Sequence, residues 1–179
     1  VGPPLPGVSV RIVGEDGTPC AAGAIGTIQV RGPNVLKGYW NLPEKTREEF
    51  TADGWFRTGD MGEWTPEGYV RIVGRAKDLI ITGGLNVYPK EIESYLDELP
   101  GVFESAVIGV PHPDFGEAVT AVVVRRRDAS GLTAEGLIAA LKGSIAGFKV
   151  PKAVHFVDDL PRNAMGKVQK SLLRQRFAA

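Results

Sequence analysis

The sequence predicts an α+β protein with a small, mostly β subdomain over residues 1–76 and a compact α+β domain over residues 77–179. Up to Gly74, short runs of alternating apolar and polar residues are separated by turn residues, which is typical of half-buried strands. After Gly74, apolar strand patterns alternate with amphipathic helical patterns. No long linker separates the halves. The boundary therefore falls in residues 74–78 (GRAKD), and any motion between the halves must pivot on one or two residues.

The first half contains five predicted strands and one short helix. The strand patterns lie at residues 8–13, 25–31, 55–57, 61–64 and 69–73. Residues 42–50 predict the helix, because Pro43 stands at an early position and an acidic residue follows it. Residues 58–60 (TGD) predict a sharp turn between two strands, which would place the carboxylate of Asp60 at a loop tip.

The second half alternates strands with three helices. The strand patterns lie at residues 78–82, 85–88, 102–110, 118–127 and 153–157. Helices are predicted between Pro89 and the stop signal at residues 100–101, across residues 131–145, and across residues 170–177. Gly83 and Gly84 tolerate positive φ angles, so they predict a tight hairpin between the first two strands of this half.

Composition excludes several classes of function. The 21 basic and 21 acidic residues balance, which argues against nucleic acid or an anionic membrane as a partner. The single cysteine, Cys20, excludes an internal disulfide and fits a reducing cytoplasm. His112 and His155 lie far apart without a cysteine set, so no metal site is expected. No apolar run approaches the ~20 residues needed to span a bilayer.

Three stretches could carry chemistry, and each also has a structural interpretation. Asp60 could accept hydrogen bonds from a vicinal diol such as ribose, although a lone Asp at a turn usually bonds to nearby N–H groups. Gly84 could let a narrow ligand pass close to the backbone, or simply complete an ordinary hairpin. Lys167 follows a glycine, but residues 161–170 (PRNAMGKVQK) do not match a P-loop, because Val168 replaces the metal-binding hydroxyl. Lys167 is then either a surface lysine or a point charge aimed at a phosphate.

Taken together, four ordered motifs resemble the adenylate-forming superfamily of acyl-CoA synthetases, peptide-synthetase adenylation domains and luciferases. Residues 26–46 (GTIQVRGPNVLKGYWNLPEKT) resemble its G-E-L…G-Y-W…P-E-x-T segment, with Ala24-Ile25-Gly26 in place of the usual Gly-Glu-Leu. Residues 55–60 (WFRTGD), 74–93 (GRAKDLIITGGLNVYPKEIE) and 161–167 (PRNAMGK) match its later motifs. The match covers essentially the whole chain, and malonyl-CoA synthetases are the subfamily that it resembles most.

The resemblance implies a role for each matching residue. Asp60 would bind the ribose hydroxyls of ATP, and Arg75 would assist at the ribose or phosphate. Lys77 would be the hinge of a mobile C-terminal domain, and Gly83 and Gly84 would border the pantetheine tunnel for CoA. Lys167 would contact the carboxylate and α-phosphate oxygens during adenylation.

The resemblance also implies that the chain is part of a longer protein. The phosphate loop, the glutamate associated with Mg²⁺ and most of the acyl pocket would precede residue 1, so the chain alone is expected to be inactive. The expected ligands are ATP, AMP, CoA and a small carboxylate such as malonate, and the expected partner is the missing N-terminal part. Exposed apolar surface on residues 1–76 would favour self-association.

Two alternative functions stay open at this stage. One is a module without catalysis, recognised by an acetyltransferase that modifies Lys167. The other is an adenylation domain that loads a carrier protein. The chain ends about a dozen residues after Lys167 with no attached carrier domain, which would be expected of a CoA ligase rather than of a carrier-loading domain.

Overall fold

The computed structural model describes residues 2–129 and 131–178, which fold into two compact units. Unit 1 comprises Val1–Lys77 and unit 2 comprises Asp78–Ala179. The outer ends of the predicted domains, residues 1 and 179, lie outside the described residues. Helices accompany a sheet in each unit, so the α+β class predicted from the sequence is confirmed.

Unit 1 is built on an antiparallel sheet whose four strands are neighbours in chain order. The strands are β1 (Ser9–Val13), β2 (Gly26–Arg31), β3 (Phe56–Trp64) and β4 (Val70–Arg75). One helix, α1 (Pro43–Glu49), lies between β2 and β3, with proline in its first turn. The core of the unit is small: Ile12, Ile28 and Val70 are buried, and Trp64 packs against them.

The prediction of a sharp turn at residues 58–60 is wrong. β3 runs through these residues without a break and joins the strands predicted at residues 55–57 and 61–64. Thr27 of β2 pairs with Met61 of β3, and Gln29 pairs with Arg57. One residue of β2, Ile28, therefore lies opposite three residues of β3, at positions 58–60. The extra residues form a bulge, which Gly59 permits with a φ of 73°. Thr, Gly and Asp suit turns as well as bulges, so their order alone did not distinguish the two.

In its described residues, 78–129 and 131–178, unit 2 contains a five-stranded mixed sheet and three α-helices. The strands are β5 (Ile80–Thr82), β6 (Leu85–Val87), β7 (Val102–His112), β8 (Gly116–Arg125) and β9 (Ala153–Val157). Their order is β6-β5-β8-β7, and β9 pairs with β8 in parallel. The helices are α2 (Pro89–Asp97), α3 (Ala134–Lys142) and α4 (Lys170–Phe177). None of the helices in the described residues is long and apolar enough to cross a lipid bilayer.

Strands β7 and β8 are apolar along most of their length because helices cover both faces of the sheet. On one face, Val107 belongs to the same buried cluster as Leu96 of α2 and Leu141 of α3. On the other face, its neighbour Ile108 shares a cluster with Leu173 of α4. Successive strand residues point to opposite faces, so β7 contributes to both clusters.

Candidate functional site

Asp60 and Arg75 form an ion pair on neighbouring strands of unit 1. They are register partners on β3 and β4, and Arg75 Nε lies 3.0 Å from Asp60 Oδ1. Arg75 Nη1 also donates to the carbonyl oxygen of Thr58 at 2.9 Å. The Asp60 side chain is 23% exposed and that of Arg75 is 46% exposed. The fold therefore brings two predicted nucleotide-binding residues together, with a carboxylate that can still accept hydrogen bonds from a diol.

The rest of the WFRTGD motif holds the bulge in place, a role that the sequence did not reveal. Thr58 Oγ1 donates to a carbonyl oxygen of β2 at 2.9 Å and accepts the N–H of Asp60 at 3.1 Å. Arg57 Nη1 donates to two carbonyl oxygens at the end of α1, at 3.0 and 2.9 Å. A guanidinium group suits these carbonyls because they carry the partial negative charge of the helix end. These contacts fix the backbone that presents Asp60.

Trp55, the first residue of the same motif, lies close to two guanidinium groups. Arg11 Cζ lies 4.5 Å from the ring centroid and Arg31 Cζ lies 4.6 Å from it. Arg11 also donates to both carboxylate oxygens of Asp53, at 2.7 and 3.1 Å. Hydrogen bonding from Arg11 lowers the pKa of Asp53 to about 2. This network has a structural role, since it buries Trp55 beside the strand that carries Asp60.

Lys77, the predicted hinge residue, is exposed and lies in a single 3₁₀ turn formed by Ala76–Asp78. The turn contains the boundary between the two units. The next residue, Asp78, accepts a hydrogen bond from Arg174 Nη2 of α4 at 2.8 Å. Unit 2 is therefore anchored to its own last helix immediately after the predicted hinge.

Gly83 and Gly84 are the two central residues of the β5–β6 hairpin. Their φ angles are 56° and 77°, as a type I′ turn requires. The N–H of Gly83 donates to the carbonyl oxygen of Phe115 at 2.9 Å. Among the described residues other than Gly84 and its two chain neighbours, no heavy atom lies within 4 Å of the position that a Cβ on Gly84 would occupy. Lys152 Nζ lies 5.2 Å from the Phe115 ring, so the open backbone of the hairpin adjoins an aromatic ring and a cation.

The loop that carries Lys167 combines a fixed backbone with an exposed side chain. The N–H of Lys167 donates to Asn163 Oδ1 at 3.0 Å, and its carbonyl oxygen accepts from the N–H of Asn163 at 2.9 Å. Asn163 Oδ1 also accepts the N–H of Met165 at 3.0 Å, and Gly166 adopts a φ of 76°. Within the described part of the chain, no carboxylate forms an ion pair with Lys167. Its ammonium group is thus available to an anion.

Charged side chains tie both ends of this loop to unit 2. Arg162 Nη1 donates to the carbonyl oxygen of Gly166 at 2.8 Å, and Arg162 Nη2 pairs with Glu104 of β7. At the other end, Lys170 Nζ lies 2.5 Å from Glu93 Oε1, and the two side chains are only 16% and 9% exposed. Glu93 Oε1 also accepts a backbone N–H of β7 at 2.9 Å. Sequence reasoning did not find these pairs, because their partners lie far away in the chain.

The Gly83-Gly84 hairpin and the Lys167 loop lie at opposite ends of β8. Thr82, directly before the hairpin, pairs with Gly116 at the start of β8. Glu104, which holds the loop through Arg162, pairs with Val124 near the other end. Eight residues of extended strand separate positions 116 and 124, a distance of about 26 Å. The hairpin and the Lys167 loop are therefore attached at opposite ends of the same strand.

The histidines take part in ring contacts. His112 lies 4.7 Å from Phe115 and His155 lies 4.3 Å from Phe177, measured between ring centroids. No group of three or more His, Cys, Asp and Glu side chains that could hold a metal ion occurs in residues 2–129 and 131–178. The described residues thus provide no protein ligand set for a metal.

Two family models match the chain. The model described as AMP-binding enzyme matches residues 1–40, and the model described as AMP-binding enzyme C-terminal domain matches residues 91–167. The second match includes the Lys167 loop.

Characterised relatives and solved structures are similar to almost the whole chain. A feruloyl-CoA synthase of Amycolatopsis sp is 48% identical over 94% of the chain, and an indoleacetate–CoA ligase of Aromatoleum aromaticum is 49% identical over 97%. ATP-bound MatB from Rhodopseudomonas palustris is 60% identical over 99% of the chain, with a TM-score of 0.93. The chain spans about a third of the length of these proteins: 34% of each of the two relatives and 35% of MatB.

Proposed function

The chain belongs to the AMP-binding enzyme family, and from that premise we propose that it serves as the C-terminal part of an AMP-forming acyl-CoA ligase. The reaction joins a carboxylate to the thiol of CoA and converts ATP to AMP and pyrophosphate. Similarity to two CoA ligases at 48% and 49% identity supports this class of reaction. Because the chain spans about a third of these relatives, the proposal concerns only the steps that its own residues can serve.

In the first step, a carboxylate oxygen attacks the α-phosphorus of ATP, and the bond to pyrophosphate breaks. Asp60 accepts hydrogen bonds from the ribose hydroxyls, while Arg75 holds its carboxylate in place through the 3.0 Å ion pair. Lys167 places its ammonium group beside the α-phosphate and carboxylate oxygens, where negative charge develops. Removal of such a charge typically lowers the rate by ~10²–10³.

In the second step, the CoA thiol attacks the acyl carbon, the thiol proton is lost, and AMP leaves with the electron pair of the mixed anhydride bond. The pantetheine arm passes the Gly83-Gly84 hairpin, where the space beside Gly84 is open. Unit 2 turns about Lys77 between the two steps, so that first the Lys167 loop and then the hairpin faces the nucleotide. ATP and CoA are substrates in this scheme, and Mg²⁺ accompanies the ATP.

The observation that carries the proposal is the separation of about 26 Å along β8 between the hairpin and the Lys167 loop. A two-step reaction that presents each end of unit 2 in turn can use both.

Malonate, or a related small dicarboxylate, is the substrate that we propose. Support comes from the resemblance of residues 31–40 (RGPNVLKGYW) and 160–170 (LPRNAMGKVQK) to malonyl-CoA synthetases. The relatives named for ferulate and for indoleacetate are 48% and 49% identical to the chain, which fits selection of the acyl group by residues outside this part of the protein. A basic side chain in the acyl pocket, outside these residues, would favour a dicarboxylate.

The test uses the ligase that contains these residues, with Lys167→Ala and the control Lys142→Ala on the exposed side of α3. ATP–pyrophosphate exchange with malonate should fall about 10²–10³-fold for Lys167→Ala and stay unchanged for the control. Thioester formation from supplied malonyl-adenylate and CoA should survive. Equal loss of adenylation and thioester formation in Lys167→Ala would contradict the proposed role of Lys167. If the ligase catalysed ATP–pyrophosphate exchange with other carboxylates but not with malonate, malonate would be ruled out as the substrate.

No finding favours the two alternatives, a recognition module for lysine acetylation and a carrier-loading domain. An acetyltransferase partner and a homo-oligomer likewise receive no support from the described contacts. The cytoplasmic location stays a prediction from the single cysteine.

A further inference from the structure

Helix α4 begins three residues after Lys167 and carries two cations on one face. Lys170 and Arg174 are four residues apart, so their side chains project from the same side of the helix. Lys170 bonds to Glu93 of α2 at 2.5 Å, and Arg174 bonds to Asp78 at 2.8 Å. One helix face thus connects the end of the Lys167 loop with the residue that follows the predicted hinge.

Apolar and charged contacts together hold α4 in place: Leu173 lies in the cluster that contains Ile108, Phe177 stacks on His155, and the two ion pairs add to these contacts. Leu173 is fully buried, but Leu172 beside it is 45% exposed. The helix has eight residues and no side-chain cap at its first turn. Isolated helices of this length are not stable in water, so tertiary contacts must hold it. Among those contacts, the ion pairs of Lys170 with Glu93 and of Arg174 with Asp78 fix the orientation of the helix.

The position of Asp78 makes the second ion pair important. It follows Lys77 directly, and its side chain is only 16% exposed. A change in the backbone angles at Lys77 moves Asp78 first, and the bond to Arg174 transmits that movement to α4. The Gly83-Gly84 hairpin needs no such link, because β5 begins two residues after Asp78.

We propose that α4 is the mechanical link between the Lys77 hinge and the Lys167 loop, and that Asp78 and Arg174 are positioning residues for adenylation. This inference rests on the function proposed above. It separates two routes through unit 2: the hinge reaches the hairpin through the chain itself, and it reaches the C-terminal end of the Lys167 loop through the ion pairs of α4, while Arg162 and Glu104 hold the other end to β7. Loss of the Asp78–Arg174 pair should therefore impair only the step that uses Lys167.

The kinetic test compares Arg174→Gln and Asp78→Asn with Arg176→Gln, a control on the exposed side of the same helix. In the ligase that contains these residues, the first two variants should lower ATP–pyrophosphate exchange about tenfold, since small misplacements of a catalytic group are costly. Thioester formation from supplied acyl-adenylate should stay within about twofold of wild type. Arg174→Lys should restore most of the exchange, and the double variant should be no worse than either single variant.

A structural test uses hydrogen–deuterium exchange of the 179-residue chain itself. Amides of residues 162–168 should exchange faster in Arg174→Gln than in wild type, and Arg176→Gln should leave them unchanged. Unchanged protection, or equal loss of both catalytic steps, would overturn the inference. A wild-type ligase without ATP–pyrophosphate exchange would refute the proposed function. Hydrogen–deuterium exchange in residues 162–168 would still decide whether α4 links the Lys167 loop to Asp78.

Discussion

Replacing Lys170 with methionine tests how far unit 2 depends on the ion pair between α2 and α4. Methionine keeps the length of the side chain but removes its charge, so Glu93 loses its cation while it stays 9% exposed. The carboxylate keeps one donor, the N–H of Val107 at 2.9 Å. A buried anion with a single hydrogen bond is costly, which gives the substitution its expected effect.

The magnitude follows from the burial of the pair. Removing one partner of a fully buried ion pair costs about 3–5 kcal/mol. Lys170 is 16% exposed, so water reaches this site to some extent, and a loss of about 2–3 kcal/mol is expected for Lys170→Met. Glu93→Gln should cost less, about 1 kcal/mol, because glutamine still accepts the N–H of Val107 and the lysine can turn toward water.

The two units can be followed separately in one urea titration. All three tryptophans, Trp40, Trp55 and Trp64, lie in unit 1, so their fluorescence reports on that unit. Of the four α-helices in the described residues, three lie in unit 2, so circular dichroism at 222 nm reports mainly on unit 2. Lys170→Met should lower the dichroism midpoint by about 1–2 M and leave the fluorescence midpoint unchanged.

Lys142→Met provides the matched control, because Lys142 is an exposed lysine at the end of α3. Its effect should stay within about 0.5 kcal/mol. The reasoning would be refuted if Lys170→Met also stayed within that range. Equal shifts in both signals would also refute it, since the ion pair lies wholly in unit 2.

Two further predictions concern unit 1 and use tryptophan fluorescence. The pKa of Asp53 lies below its usual value because Arg11 donates to it, so its stabilising effect is complete above about pH 4 and disappears as the pH falls toward 2. Asp53→Asn should therefore lower the melting temperature at pH 6 and lose that difference near pH 2; a constant difference would contradict the ion pair. A Cβ on Gly62 would lie 2.5 Å from the carbonyl oxygen of Arg71, so Gly62→Ala should destabilise unit 1 by about 1–3 kcal/mol in urea. An unchanged fluorescence midpoint would show that the strands can separate to accept the methyl group.

Local patterns were enough to predict most of the elements. Periodicity and stop signals predicted β9 and α4 at the residues where the structure has them, and the hairpin at Gly83-Gly84 followed from two residues that tolerate positive φ. The four motifs also carried the family resemblance, because each is a short run whose residues are neighbours in the chain.

The contacts between residues that are distant in the chain were decided only by the tertiary structure. The bulge at Asp60, the parallel pairing of β9 with β8 and the ion pair between Asp78 and Arg174, 96 residues apart, depend on which strands and helices meet. Turns and bulges favour the same residue types, so the sequence did not distinguish them. The sequence also does not show which oppositely charged residue a given side chain will pair with. The sequence by itself determined the class, most of the elements and the motif that contains Lys167. Only the packing of helices around β7 and β8 decided which charges hold Lys167 in place, because ion pairs form between groups that are close in space, whatever their separation in the chain.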